Sequence, residues 1–240
     1  MLVEAIKTHR IESGENLEQI IDKYVPSIKD DDILVITSKV VSICQGRTIA
    51  KNAISKEELI KQEADLVIKS NNTYGVHLTI KNNILIPSAG IDESNGDDVY
   101  ILYPENIQAV AENLWDYLCK KHQLKNLGVV ITDSHTTPMR RGVTGIALAW
   151  CGFAPLHSYV GMPDLYGRPL RMTHINILDS LATSAVFLMG EGSEQTPFAK
   201  ISEAPKIQFL DRYPNNEEKK SVIIPVEEDL YAPIFIKNCT

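Results

Sequence analysis

Hydrophobic and polar residues alternate with helical spacing in several parts of the chain. In residues 12–24, ESGENLEQIIDKY, apolar side chains recur three or four positions apart, and Pro26 ends the pattern, which predicts a capped helix. Residues 104–122, PENIQAVAENLWDYLCKKH, show the same spacing between a starting proline and terminal lysines, and give the clearest helix prediction. A charged helix is predicted over residues 55–69. Residues 175–192 predict a strand or loop leading into a buried helix that ends at Gly190.

Short β-rich runs separate these helices. The run ILVITSK from Ile33 predicts a buried strand, and LGVVITD (127–133) predicts another. Residues 77–87, HLTIKNNILIP, predict a hairpin, since Asn82 and Asn83 tolerate the positive φ of a tight turn. An irregular polar loop through Gly142 is expected next, followed by the small-residue segment VTGIALAWCGF. Helices and strands mix without regular βαβ alternation, so the expected fold class is α+β, with mixed, largely antiparallel sheets and packed helices.

The length of 240 residues fits a single unit over 1–240, or two interlocked small subdomains. Residues 201–240 contain prolines and the cluster NNEEKK, so we expect them to wrap the surface as an extension and to end in a short strand.

Composition narrows the classes of function. The net charge of -7 and the pI of about 5.4 argue against a broad nucleic-acid surface, although a local basic pocket for phosphates stays compatible with them. No apolar run is long enough to span a bilayer, and the N-terminus MLVEAIKTHR lacks the apolar core of a signal peptide. The four cysteines are scattered without a CxxC pair, so we expect reduced thiols in a cytoplasmic protein without a membrane partner.

Acidic residues follow apolar strands in three segments: PSAGIDESN (87–95), VVITDSHTTPMRRG (129–142) and FLMGEGSEQTP (187–197). Asp92, Asp133 and Glu191 offer the hard oxygen ligands that magnesium or manganese prefers, and Ser134 could add a neutral oxygen. An aspartate after a strand is more often a turn or helix cap, so each signal alone is weak.

Cationic residues accompany these acids. Ser38 and Lys39 follow the strand ILVIT and could offer a hydroxyl and a positive charge to a phosphate, although no P-loop motif is present. Arg140 and Arg141 suit a carboxylate or a phosphate. An exposed lysine and a solvated arginine pair are the plain structural alternatives.

Together these segments resemble the coenzyme F420-0:L-glutamate ligase family. The similarity runs in order over residues 6–201 and includes ESGENL, DILVITSKVVSICQGR, SAGIDESN, VVITDSHTTPMRRG, DLYGRPLRMTHINILDSLATSA and LMGEGSEQTP. The resemblance implies an α+β homodimer that uses GTP and a divalent metal, Mg²⁺ or Mn²⁺, to form an acyl phosphate, which the amine of glutamate then attacks. ATP remains open as the nucleotide.

Site roles carry over by position. The resemblance implies one metal on Asp92 and Asp133, a second on Ser134 and Glu191, and a catalytic part for Asp92, Asp133 and Arg140. It also implies nucleotide contacts in residues 8–11 and 189–196, and at Ser38, Lys39, Asn95, Gly190, Gly192 and Thr196.

The chain departs from the family pattern beside these residues. Thr136, Thr137 and Met139 stand where the family usually has Gly, Arg and Trp, Gly145 replaces an Asp, and Ile43 replaces a lysine. The general ligase chemistry is therefore a firmer expectation than F420-0 as the acceptor, and a reduced folate is the alternative. A phosphatase or nucleotidase, or a non-catalytic nucleotide-binding protein, are the rivals from other classes.

Overall fold

The computed structural model of the chain describes residues 1–68 and 74–235. Its strands are β1 (Leu2–Ile6), β2 (Asp32–Thr37), β3 (Thr48–Ala50), β4 (Leu66–Ile68), β5 (Leu78–Lys81), β6 (Ile84–Pro87), β7 (Val99–Ile101), β8 (Leu127–Thr136), β9 (Val143–Cys151), β10 (Leu156–Ser158), β11 (His174–Asn176) and β12 (Phe198–Ser202). Its α-helices are α1 (Leu17–Tyr24), α2 (Ser38–Cys44), α3 (Lys56–Glu63), α4 (Ile107–His122), α5 (Ile177–Met189), α6 (Asn216–Ser221) and α7 (Ala232–Phe235). The α+β class with largely antiparallel sheets is confirmed.

A five-stranded sheet in the order β1-β12-β2-β8-β9 forms the centre of the molecule. Strand β2 is apolar at successive positions because both faces of the sheet are covered. Leu34 and Ile36 face a hydrophobic cluster shared with α1, α2 and α4. Ile33 and Val35 face the opposite cluster, which contains the buried side of α5. The alternation of side chains along one strand therefore builds both halves of the core.

One edge of this sheet collects four chain segments. Strands β2 and β8 are parallel, and their pairing ends with Thr37 opposite Thr132, so the residues just beyond this last pair lie together. Strand β12 is antiparallel to β2 and starts at that edge, where the Thr37 N–H donates to the carbonyl of Pro197 at 3.0 Å. Strand β1 ends there as well, because Ile6 pairs with Phe198. Residues 7–11, 38–39, 133–134 and 190–197 are thereby neighbours.

Residues 48–101 form an insert outside the central sheet. The insert contains the β3–β7 pair, helix α3 and the three-stranded sheet β4-β5-β6. Its own small core includes Leu59, Ile60 and Ile91. The backbone N–H of Leu102 donates to the carbonyl of Arg47 at 2.9 Å, so the two ends of the insert lie side by side.

A two-stranded arm, residues 156–176, projects beyond β10 and β11. The pairing continues toward the tip, where the Asp164 N–H donates to the Arg168 carbonyl at 2.7 Å. Several large apolar side chains of the arm face solvent, with Leu165 100%, Tyr166 81% and Met172 86% exposed.

The segment after β12 returns across helix α4. Lys219 pairs with Glu112 at 2.7 Å, and the ring of Tyr213 meets the ring of Trp115 edge-on at 5.8 Å. Farther along, the amide of Asn83 donates to the Ile224 carbonyl at 2.9 Å. These contacts tie the segment to the core and to the insert.

The helix predictions for residues 12–24 and 104–122 are confirmed, as is the hairpin turn, where Asn82 and Asn83 both have positive φ. The helix predicted over residues 55–69 is too long. It ends at Glu63, because the apolar run Leu66–Ile68 pairs instead with β5, and Lys69 lies outside the described residues. Helix α5 has an exposed side, where Phe187 is 84% exposed.

The polar loop predicted through Gly142 is shorter than expected, because β8 continues to Thr136 and leaves only residues 137–142 in the turn. The short terminal strand is absent from the described residues, which end in helix α7, and residues 236–240 lie outside them. No helix within residues 1–68 and 74–235 combines the length and apolarity needed to cross a bilayer.

Gly152 provides a stability test. It has φ +88°, and an added Cβ would overlap the carbonyl of Leu127 and the indole nitrogen of Trp115. We expect Gly152→Ala to lower the free energy of unfolding by about 1–3 kcal/mol, as overpacking does. Gly161 has a similar φ of +84° but open space around it, so Gly161→Ala measures the backbone strain alone. Equal urea midpoints for the two variants would contradict the overlap.

Candidate active site

A cavity of about 460 Å³ opens at the sheet edge where the four segments meet. The insert closes its other side. Its walls come from residues 8–11, from Thr37, Lys39, Val40 and Ile43, from Asp92, Asn95 and Asp97, from residues 132–134, and from Val186 with residues 189–197. The structure thus brings most of the predicted site residues into one cavity.

Asp92 enters the cavity from the insert. Its backbone is fixed by two hydrogen bonds with Ile101, both 2.9 Å. Lys39, at the start of α2, places its ammonium 2.5 Å from Asp92 Oδ2, and both side chains are about one-third exposed or less (27% and 34%). Burial acts to raise the pKa of Asp92, but Lys39 and Ser94 hold this pKa below its usual value.

Asp133 stands where β8 leaves the core, since the six preceding strand positions are buried. Its Oδ1 accepts the N–H of Ser134 at 2.9 Å. Burial raises the pKa of Asp133 to about 7, and the carboxylates of Asp92 and Glu191 act in the same direction. The positive charge of Lys39 acts to lower the pKa of Asp133. Lys39 and the three carboxylates are therefore close enough to influence one another.

Residues 189–197 form the loop between α5 and β12. The carboxylate of Glu194 folds back and accepts the N–H of Gly192 at 2.8 Å, while the amide of Asn95 donates to the Gly192 carbonyl at 3.1 Å. The hydroxyl of Thr196 donates to the Met189 carbonyl at 2.5 Å. The loop is therefore held from within and from the insert, with Gly190 and Glu191 facing the cavity.

The N-terminal segment completes the opening. Its backbone is joined to the loop, because the Thr8 N–H donates to the Gln195 carbonyl at 2.8 Å. His9 lies between Glu15 at 2.9 Å and the hydroxyl of Tyr24 at 2.8 Å. Arg10 reaches Asp97 of the insert at 2.8 Å across the mouth.

Sequence reasoning does not single out Asp97 or Glu194. Both are surface-type acids in glycine-containing loops, and no local pattern distinguishes them from ordinary turn residues. Asp97 is placed by a long-range ion pair with Arg10, and Glu194 is held by a hydrogen bond from Gly192 within the same loop.

Two residues expected in the site do not line the cavity. Ser38 is buried at the start of α2, with 5% exposure. Arg140 is exposed in the turn 137–142, beside the fully exposed Met139. Their predicted roles stay predictions.

Gly145, another departure from the family pattern, packs against the backbone of α5. The hydroxyl of Thr183 donates to its carbonyl at 2.8 Å. An added Cβ would overlap the Ala182 backbone, so this position has no room for a side chain.

The acids of the cavity are compatible with a divalent cation. Within residues 1–68 and 74–235, no three His, Cys, Asp or Glu side chains are close enough to enclose a metal by themselves. Magnesium, however, is often held by one or two carboxylates together with water and substrate phosphate oxygens. Asp92 already holds a cation, the Lys39 ammonium, which occupies the place of a counter-ion. The donor set therefore fits a metal that arrives with a phosphorylated ligand.

The chain is similar in sequence to known proteins over most of its length. The family model described as F420-0:Gamma-glutamyl ligase matches residues 5–203. A coenzyme F420:L-glutamate ligase of Methanocaldococcus jannaschii is 31% identical over 233 residues, covering 90% of each chain. Proteins of the same name from Methanopyrus kandleri and Methanosarcina barkeri are 27% and 30% identical, covering 92% and 80% of this chain and 93% and 80% of their own. The resemblance seen in the motifs is confirmed, and the chain belongs to the F420-0:gamma-glutamyl ligase family.

Proposed function

We propose that this protein is a nucleoside triphosphate- and metal-dependent ligase that joins L-glutamate to a carboxylate-bearing cofactor of the F420-0 type. GTP is the proposed nucleotide, with ATP as the alternative. The observation that carries the proposal is the meeting of Asp92, Asp133, Glu191 and Lys39 in one cavity of a chain from this family. Carboxylates can hold a divalent metal and a lysine can pair with phosphate, so this combination suits a metal-bound nucleoside triphosphate.

The acids would hold the metal. Asp92 and Asp133 would share one Mg²⁺ or Mn²⁺, while Ser134 and Glu191 would serve a second. A bound divalent cation would neutralise part of the charge of the triphosphate and favour transfer of its terminal phosphoryl group.

The remaining residues would bind and orient the substrates. Lys39 and Asn95 would border the phosphates, and residues 189–196 would lie against the nucleotide. In the proposed reaction, a carboxylate oxygen of the acceptor attacks the γ-phosphorus and the nucleoside diphosphate leaves. The glutamate amine then attacks the acyl carbon, which releases inorganic phosphate and a proton. The partly enclosed cavity limits hydrolysis of the acyl phosphate by water.

The reaction itself provides the main test. Incubation of the protein with GTP, Mg²⁺, L-glutamate and F420-0 is expected to yield a glutamylated product by mass spectrometry. Asp133→Asn is expected to lower kcat by about a hundredfold or more, the usual scale for losing a key electrostatic group. Asp116→Asn, an exposed change on α4, is the matched control. Strong phosphate release without acceptor and glutamate would instead indicate a phosphatase.

The acceptor is tested separately. The turn 137–142 offers Met139, Arg140 and Arg141 in place of a stacking tryptophan, and all three are exposed. We therefore expect kcat/KM for tetrahydrofolate to approach the value for F420-0 with the same nucleotide and metal. A strong preference for F420-0 would show that the substitutions in this turn do not broaden the acceptor range.

We further propose that the protein is a homodimer that buries the arm 156–176. The proposal is supported by the exposure of Leu165, Tyr166 and Met172, because several large apolar side chains exposed on one arm suit an association surface. Light scattering is expected to give the mass of a dimer at micromolar concentration. A double variant, Leu165→Glu with Tyr166→Glu, should shift the protein to monomer, whereas Leu230→Glu, at another exposed position, should not. A monomeric wild type would refute the proposal.

A further inference from the structure

We infer that Lys39 is an exchangeable cation, which neutralises Asp92 when no metal is bound and moves to the triphosphate when a divalent metal takes its place. The inference rests on the proposed function and extends it, because it states where the charge of Lys39 lies before and after the metal and the triphosphate bind. The roles of Asp92 and Lys39 are then coupled rather than separate.

The two oxygens of Asp92 have different partners. Oδ1 accepts both the N–H and the hydroxyl of Ser94, at 2.6 and 2.7 Å. Oδ2 is 2.5 Å from the Lys39 ammonium, which also donates to the Ser94 hydroxyl at 3.2 Å. Oδ1 is therefore fixed by the insert itself, and Oδ2 is the oxygen available to a cation from the cavity.

Lys39 provides a positive charge close to the acidic side chains of the cavity. Its charge favours the ionised form of Asp133, while Asp92 and Glu191 oppose that form. The two other basic side chains among the described residues of the cavity wall already contact acids: Arg10 pairs with Asp97, and the His9 ring contacts Glu15. The ammonium thus occupies the position that a metal on Asp92 would need.

A metal and the ammonium cannot both contact Oδ2 without strong repulsion. A Mg²⁺ ion would lie about 2.0–2.1 Å from a carboxylate oxygen, close to the place that the ammonium occupies. The repulsion between the two cations in a partly buried cavity greatly exceeds that in water. The metal must therefore displace Lys39.

The lysine has another anion within the same cavity once a nucleotide is present. Its flexible side chain starts in the first turn of α2 and faces the space enclosed by the loop 189–197. Transfer of the ammonium to a phosphate leaves both cations paired. A metal bound alone would leave the Lys39 ammonium without an anionic partner, and a nucleotide bound alone would leave this ammonium paired with Asp92. Each ligand should therefore strengthen the binding of the other.

The test is Mn²⁺ binding by the full chain, measured by electron paramagnetic resonance with and without a non-hydrolysable GTP analogue. Lys39→Gln is expected to bind Mn²⁺ about tenfold tighter than wild type without nucleotide, and to bind the analogue about tenfold more weakly with Mn²⁺ present, each about 1.4 kcal/mol. Lys39→Met should repeat both effects. Lys39→Arg keeps the charge and should show no gain in Mn²⁺ affinity. Lys120→Gln, a change in an exposed pair on α4, is the control.

Exchange predicts tighter Mn²⁺ binding and weaker analogue binding in the neutral variants. A purely structural role of Lys39 would instead weaken the binding of both ligands. Unchanged or weaker Mn²⁺ binding by both neutral variants, with normal Mn²⁺ binding by wild type, would overturn the exchange and leave the proposed function standing. Wild type that binds no Mn²⁺ even with the analogue would overturn the proposed metal site and the exchange together.

Discussion

The parallel pairing of β2 with β8 is the interaction on which the cavity depends. Because the strands run in the same direction and their pairing ends at Thr37 and Thr132, Lys39 and Asp133 lie together at one edge of the sheet. Parallel strands cannot be joined by a tight turn, so the chain needs a long connection between them. Residues 38–126 supply it, and helix α4 within this connection covers one face of the sheet.

Local signals make much of the fold predictable. Helix α1 has the capping side chain of Asn16 and regularly spaced apolar residues, and the β5–β6 hairpin has two asparagines that accept positive φ. The boundary between α3 and β4 is different, because Leu66–Ile68 becomes a strand only through pairing with β5. The arm 156–176 likewise depends on pairing between segments that have no clear strand pattern of their own.

In the candidate site, too, some positions follow from local sequence signals and others depend on long-range contacts. Asp133 is predictable as an acid at the end of an apolar strand, since the strand fixes its position. The contact between Lys39 and Asp92 depends on how the insert folds back over the sheet, and the two residues are 53 positions apart by number. Arg140 lies close to Asp133 in sequence, but the turn between β8 and β9 places it outside the cavity wall, so its catalytic role stays a prediction.

The neck of the insert has a consequence for how such a chain can diversify. The N–H of Leu102 donates to the carbonyl of Arg47, so the insert leaves and rejoins the rest of the chain at one place. The distance between these two ends does not depend on how many residues the insert contains. Residues can be added, lost or exchanged between these points with little effect on the spacing of α2 and α4. Asp92 and Asn95 belong to the insert, whereas Asp133 belongs to the sheet. Changes within the insert can therefore reshape one wall of the cavity while the packing of the core holds the opposite wall in place.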